Sequence, residues 1–172
     1  MVMATTEKEK LLQTLPQIGC LEWISVRPHK GATPVFLQEV RVQTENGLEG
    51  DHYQGSSGKR QVTLIQAEHL EVVARILGKE SVSPLLTRRN LVVSGINLLA
   101  FAQPEGMEGK RQFSIGEEVI LEMTGTCPPC HQMEENLGPG GYNAMLGHGG
   151  ITARVIRGGI IRKGDAVKLV QS

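Results

Sequence analysis

The sequence predicts a mainly β, barrel-like domain with two or three inserted helices. Three observations lead there. Short apolar segments recur along the chain, each bounded by Gly, Pro, Asn or Asp. Glycine is abundant, 21 residues of 172, which suits many tight turns. Only a few stretches carry the three-and-four apolar spacing of an amphipathic helix. Together these patterns describe a β-barrel or sandwich with helices between strands.

The elements follow in order. Residues 1–17 are polar, with Glu7, Lys8, Glu9 and Lys10 in a row, and read as a tail or short amphipathic helix. Residues 18–172 read as a single domain. Leu21 to Val26 is the first strand, ended by Arg27-Pro28-His29-Lys30-Gly31. Val35 to Thr44 is the second, and its imperfect alternation (Leu37, Val40, Val42) predicts a bulge. Asn46-Gly47 is a turn signal, followed by a polar, glycine-rich loop from Gly50 to Arg60. Gln61 to Ile65 is a strand. Ala67 to Leu77 is a helix with Leu70, Val73 and Leu77 on one face, stopped by Gly78. Leu91 to Val93 is a short buried strand. Phe113 to Met123 holds two strand segments bent at Gly116. Pro128 to Leu137 reads as a helix and Tyr142 to Leu146 as one more helical turn. Ile151 to Ile156, Ile160-Ile161 and Ala166 to Val170 complete the strands.

Composition narrows the function. Lys+Arg and Asp+Glu are equal at 18 each, so no global charge points to nucleic acid or membrane. Aromatic residues make up 3%, too few for a base-stacking surface. Three cysteines suit a reduced, cytoplasmic protein better than a disulfide framework. No apolar run approaches the roughly 18 residues of a membrane span. The first residues lack the apolar stretch of a signal peptide.

The most informative motif is Gly125-Thr126-Cys127-Pro128-Pro129-Cys130-His131, after an apolar strand. Prolines there force a turn and can open a helix, whose N-terminal N–H groups favour a thiolate. That is the form of cysteine that attacks sulfur and binds soft metals. On spacing alone the CxxC admits a redox or persulfide pair, a metal half-site, or one reactive cysteine with a bystander. A zinc set from Cys127, Cys130, His131 and His148 lacks the usual second half-site spacing. Cys20 reads as core. Around this motif stand groups suited to an anionic ligand. Asp51, His52, Lys59 and Arg60 lie in the glycine-rich loop, where backbone and cations can approach a phosphate. Arg88 and Arg89 precede a buried strand, and Asn90 can donate and accept at a heterocycle edge. His148 lies in a flexible Gly-His-Gly-Gly loop, with Arg154 a few residues on. No Walker loop, HExxH or strand-linked GxGxxG is present.

Taken in order, Gly47-Leu48-Glu49-Gly50-Asp51-His52, Arg60-Gln61-Val62-Thr63-Leu64-Ile65, Arg88 to Gly95, Ile115-Gly116, Cys127-Pro128-Pro129-Cys130, Gly149-Gly150, Ala153-Arg154-Val155 and Gly164-Asp165 resemble the MOSC family, named for the C-terminal domain of molybdenum cofactor sulfurase. The resemblance implies the MOSC type of β-barrel, like the pyruvate kinase barrel. It also implies a pocket for molybdenum cofactor (molybdopterin), a pterin dithiolene bearing a phosphate. The cysteine that carries sulfur or ligates molybdenum falls on Cys130. Arg88 and Asn90 match positions facing the cofactor, and Asp51 matches the acid of a Gly-Asp motif. His52 stands where many members carry arginine, so its charge depends on pH. The pyridoxal-phosphate desulfurase domain of longer relatives has no counterpart here, so pyridoxal phosphate is not expected. A separate cysteine desulfurase or an electron-donor protein is then the implied partner. The expected activity is sulfur transfer or reduction of N-hydroxylated compounds through Cys130, with Cys127 as resolving or reserve thiol. A metal-free thiol or persulfide carrier and a zinc-held adaptor module are the alternatives.

Overall fold

The computed structural model describes residues 6–171 apart from Gln54 and Glu108, so the first five residues of the expected tail and Gln54 of the polar loop lie outside it. Helix α1 (Glu7–Gln13) opens on a capping box, in which the Thr6 side chain accepts from Glu9 N and Glu9 reaches back to Thr6 N. It buries no residue; Arg111 fastens the segment by donating to the Leu12 carbonyl.

The strands and inserted helices then follow as β1 (Gly19–Val26), β2 (Val35–Leu37), β3 (Glu39–Gln43), β4 (Gly47–Leu48), β5 (Val62–Gln66), α2 (Ala67–Ile76), α3 (Pro84–Thr87), β6 (Leu91–Ser94), β7 (Gln112–Ile115), β8 (Val119–Thr126), α4 (His131–Leu137), α5 (Gly141–Met145), β9 (Ile151–Arg157), β10 (Gly159–Arg162) and β11 (Ala166–Leu169). Seven strands close a barrel in the order β1-β6-β5-β9-β8-β7-β11 and back to β1. β2 extends β1 outward, and β10, β3 and β4 form a smaller sheet. Among the described pairings only β5–β6 is parallel. A parallel pair needs a crossover, which α2 and α3 supply.

Side-chain alternation explains why the central strands read as continuous apolar runs. On β5, Val62 and Leu64 point into the barrel while Ile65 joins a second core beneath the helices. On β6, Leu91 and Val93 point inward and Val92 outward. The inner core includes Leu21, Ile24, Phe113, Leu121 and Val155, with Phe101 stacked on Phe113 at 4.3 Å. The outer one joins Leu70 and Val73 of α2 to Met133 and Leu137 of α4 and Met145 of α5.

The structure refines the sequence reading at particular points. The long second strand is two strands, β2 and β3, broken at Gln38 where alternation failed. Gly116 has φ +65° and makes the expected bend. The three longer inserted helices are those read from the sequence, α2 from its apolar period, α4 after the prolines and α5 as the further helical turn. Helix α3 and a 3-10 turn at Leu98–Phe101 are additional, each too short to carry a period. Helix α4 begins at His131 rather than Pro128, and Cys130 is its N-cap in extended conformation (φ −120°, ψ 174°). The reason is local: Cys127 and Pro128 each precede a proline, which biases them away from helical geometry. Cys127 therefore lies outside the helix, and Cys130 stands at its edge.

Asn90 ties three strands together. Its Oδ1 accepts from Thr63 N at 3.0 Å and Thr63 Oγ1 at 3.1 Å, and its Nδ2 donates to Ser25 O at 3.2 Å. Asn90→Ala would leave the Thr63 amide and the Ser25 carbonyl buried without partners, so chemical denaturation is expected to show a loss of about 2–4 kcal/mol. On the outer layer, Glu134 accepts from Gly140 N at 2.7 Å and Tyr142 N at 2.8 Å, and these backbone bonds hold its carboxyl below the usual glutamate range. A carboxyl depressed in the folded state contributes stability above its unfolded pKa and loses it as pH falls through the folded one. Urea midpoints measured from neutral pH down through the carboxylate range should therefore fall less steeply for Glu134→Gln than for the natural chain.

Candidate functional site

The site is built from segments flanking five strands. Arg27 follows β1, Arg60 precedes β5, Arg88 to Asn90 precede β6, Cys127 follows β8, and Gly149-Gly150 precede β9. A cavity of about 610 Å³ opens among Arg27, Pro28, His29, Lys30, Asp51, His52, Tyr53, Arg60, Thr63 and Asn90. That volume falls in the range of organic ligands and cofactors.

Its electrostatics are one-sided. Burial lowers the Arg27 guanidinium from its ordinary value; Asp51 opposes that shift, and the charges of Arg88, Arg89 and Arg60 add to it. Three further arginines thus lie within electrostatic reach of Arg27, and Asp51 is the counter-charge that acts on it. Asp51 also fixes the wall, since its Oδ1 accepts from Arg27 N at 2.8 Å while His52 N donates to Arg27 O at 2.8 Å. Several buried polar atoms here have no hydrogen-bond partner: Arg27 Nε, Arg88 Nε, His52 Nδ1 and Tyr53 OH. Unsatisfied buried donors are uncommon and costly, and clustered together they signal a ligand. Arg88 is also the one described non-glycine residue with positive φ, at 60°, capping α3 in a left-handed conformation.

Arg89 does different work. It is buried, and its guanidinium donates from Nε to Gly149 O at 2.9 Å, from Nη1 to Thr87 O at 2.8 Å and from Nη2 to Cys127 O at 3.2 Å. Burial pushes its pKa down; Cys127 and then Cys130 oppose that shift, so both thiols lie within its electrostatic reach. The Cys127 backbone is gripped a second time, by its N–H donating to Gly150 O at 2.8 Å. A Cβ on Gly149 would stand 2.1 Å from the Cys127 carbonyl oxygen, which is why glycine occupies that position. The Cys127 thiol is buried, with Arg60 Nη2 at 3.7 Å from its sulfur. Cys130 is exposed, its Sγ 4.0 Å from Gln132 Oε1. One thiol is thus held against an arginine of the cavity wall and the other is open to reagents.

Of the residues singled out in sequence, Asp51, His52, Arg60 and Asn90 line the cavity, with Arg88 and Arg89 in their electrostatic set. Asn90 spends its amide on Thr63 and Ser25, so its side chain chiefly shapes the wall. Lys59 and Arg154 line a separate cavity. His148 lies against α2, its ring 5.2 Å from that of His69, with Nδ1 3.1 Å from the Ala144 carbonyl. Among the described residues no group of three or more His, Cys, Asp or Glu side chains is placed to hold a metal, which removes the geometric basis of the four-ligand zinc set. Cys20, expected in the core, is half-buried. Sequence reasoning passed over Arg27, His29 and Lys30 by treating them as a strand-ending turn. Basic residues directly abutting a buried strand, the criterion applied to Arg88 and Arg89, would have found them.

The MOSC domain family model matches residues 49–168. No curated protein matches the chain. Among solved structures, the YuaD protein from Bacillus subtilis superposes with a TM-score of 0.73 at 17% identity, over 91% of this chain and 98% of that one. YiiM from Geobacillus stearothermophilus gives 0.70 at 16% identity, over 89% and 75% of the two chains. YiiM from Escherichia coli gives 0.63 at 19%, over 89% and 70%. At these identities the likeness is one of fold.

The Arg89 geometry yields an expectation. A lysine ammonium cannot reach three carbonyls spread around a planar fork. Arg89→Lys should lose about 1–3 kcal/mol in denaturant titration and speed alkylation of Cys127 while leaving that of Cys130 unchanged. Equal Cys127 alkylation rates in the two proteins would refute the clamp.

Proposed function

The chain belongs to the MOSC family, and from that premise we propose that it binds molybdenum cofactor in the arginine-lined cavity, with Cys130 as the thiol that carries sulfur to it or ligates its metal. The family is associated with binding of this cofactor. The observation that carries the reading is the set of unpartnered buried polar atoms, Arg27 Nε, His52 Nδ1 and Tyr53 OH, on residues lining a cavity of about 610 Å³, with Arg88 Nε on an arginine whose charge acts on Arg27. That donor set fits the group: arginines for a phosphate, and hydrogen-bonding side chains for the edge of a pterin.

In this reading Arg27, Arg60 and Arg88 hold the phosphate and pterin, and Asp51 keeps Arg27 in place through its backbone. His52 and Tyr53 hydrogen-bond the heterocycle. The bound group would supply a thiophilic metal for a thiolate or sulfide and a centre for reducing N-hydroxylated compounds. Cys130 is suited to the reactive role because it is exposed while Cys127 is buried. As a carrier, the Cys130 thiolate attacks the outer sulfur of a partner's persulfide. A Cys–S–S⁻ bond forms and the partner leaves as its thiol. The partner is then a cysteine desulfurase; for the reductive use it is an electron-donor protein. Cys127 sits under Arg60, held too firmly to be the first acceptor.

The test is cofactor content in protein made by a host that synthesises it. Molybdenum and pterin should co-purify with the natural chain. Both should fall about tenfold or more in Arg60→Gln and Arg88→Gln, from loss of charge-assisted bonds. Cys130→Ser should keep its pterin and lose bound molybdenum or transferable sulfur, whereas Cys127→Ser should keep both. Equal pterin in the natural chain and both arginine variants would overturn the cavity assignment. A natural chain without pterin or molybdenum that still accepts sulfane sulfur on Cys130 would establish the metal-free carrier instead.

A further inference from the structure

A second cavity, of about 220 Å³, lies against β8 and β9 and shares no lining residue with the first. Lys59, Lys110, Arg111, Glu122, Thr124 and Arg154 surround it over an apolar floor of Phe101 and Met123. We propose that this cavity is a binding site for one small oxyanion of the phosphate class, distinct from the arginine-lined cavity beside Cys127.

The charge balance is the first argument. Four cationic side chains face one carboxylate, that of Glu122, which is buried. Glu122 Oε1 is shared between Lys110 Nζ at 3.4 Å and Arg154 Nε at 3.8 Å. The Arg154 contact exceeds hydrogen-bond distance, and Arg154 Nε is a buried donor with no hydrogen-bond partner. An oxyanion in the cavity would satisfy that donor and offset the surplus positive charge.

The second argument is rigidity. Arg111 donates from Nη1 to Ala100 O at 2.5 Å and from Nη2 to Leu12 O, so its charge is fixed in the wall. The Thr124 hydroxyl bonds the Lys59 carbonyl and lies 2.8 Å from Thr152 Oγ1, which ties the Lys59 backbone to β8 and β9. Lys59 and Arg60 then line separate cavities. Arg111, held in place before binding, loses little freedom on meeting a ligand, and the fixed Lys59 backbone anchors the base of its side chain.

Size sets the ligand class. The volume lies below the roughly 300–1,000 Å³ that organic ligands occupy, so the cavity suits a single anionic group. That group is either a free phosphate-class ion or the anionic end of a larger molecule whose body lies outside.

The probe is inorganic phosphate, titrated calorimetrically into the full chain at constant ionic strength with chloride as the balancing anion. Arg88→Gln serves as background because it weakens the larger cavity. Saturable phosphate binding should persist in Arg88→Gln and weaken about tenfold when Arg154→Gln or Lys59→Gln is added, as expected for loss of one charge-assisted contact. Lys59 is exposed, so its substitution tests the site without disturbing the core. Absence of saturable binding in Arg88→Gln, or affinity unchanged by both second substitutions, would overturn the proposal. Pterin content of Arg154→Gln separates the sources. A fall places the cofactor's phosphate here and overturns its assignment to Arg27, Arg60 and Arg88, and an unchanged content identifies a separate ion or substrate group. Because the titration needs no cofactor, its failure is distinguishable from failure of the cofactor assignment.

Discussion

The buried guanidinium of Arg89 is the constraint on which the site depends. A cation taken out of water must be compensated by hydrogen bonds, and here three carbonyls provide them. Those carbonyls belong to three chain segments: the end of α3, the Cys127 turn and the glycine pair before β9. Compensating one charge therefore fixes how far apart these segments stand. The cost of burying Arg89 and the placement of the Cys127 backbone are one fact seen from two sides.

The barrel explains why such a residue is available there. Closure brings the ends of strands distant in sequence beside one another, and the parallel β5–β6 pair places the residues preceding both strands side by side. Asn90 exploits that register by bonding Thr63 on one side and Ser25 on the other. Arg60, Arg88 and Arg89 then stand near residues following the antiparallel β1. Like charges collect because three strand ends carry them, Arg27 after β1, Arg60 before β5 and Arg88 with Arg89 before β6, and the energy of holding them together comes from the core behind them.

The two cysteines divide by environment rather than by sequence. Proline after Cys127 and after Pro128 keeps the turn extended, leaving Cys130 exposed at the start of α4 while Cys127 turns inward beneath Arg60. A CxxC spacing leaves open which thiol reacts. Burial and the grip on the Cys127 backbone separate the two.

Much of this was legible in the chain. Apolar runs bounded by turn residues gave the strands, Gly116 the bend, and the amphipathic stretch of α2 its helix, because these depend on local propensity and on which faces meet water. The ordered motifs from Gly47 to Asp165 pointed to the family, and Asp51, His52, Arg60 and Asn90 to the cavity. The order of residues thus specifies the class of fold, the elements with a clear period, and a pool of chemically suitable side chains. The folded barrel alone settles which of them share a space. It sent Lys59 to one cavity and Arg60 to another, paired His148 with His69, and brought in Arg27, whose role rests on Asp51 from a distant loop. Strand registry and barrel closure are set by the packing of the whole core, and neither is encoded in the spacing of the residues that the closure brings together.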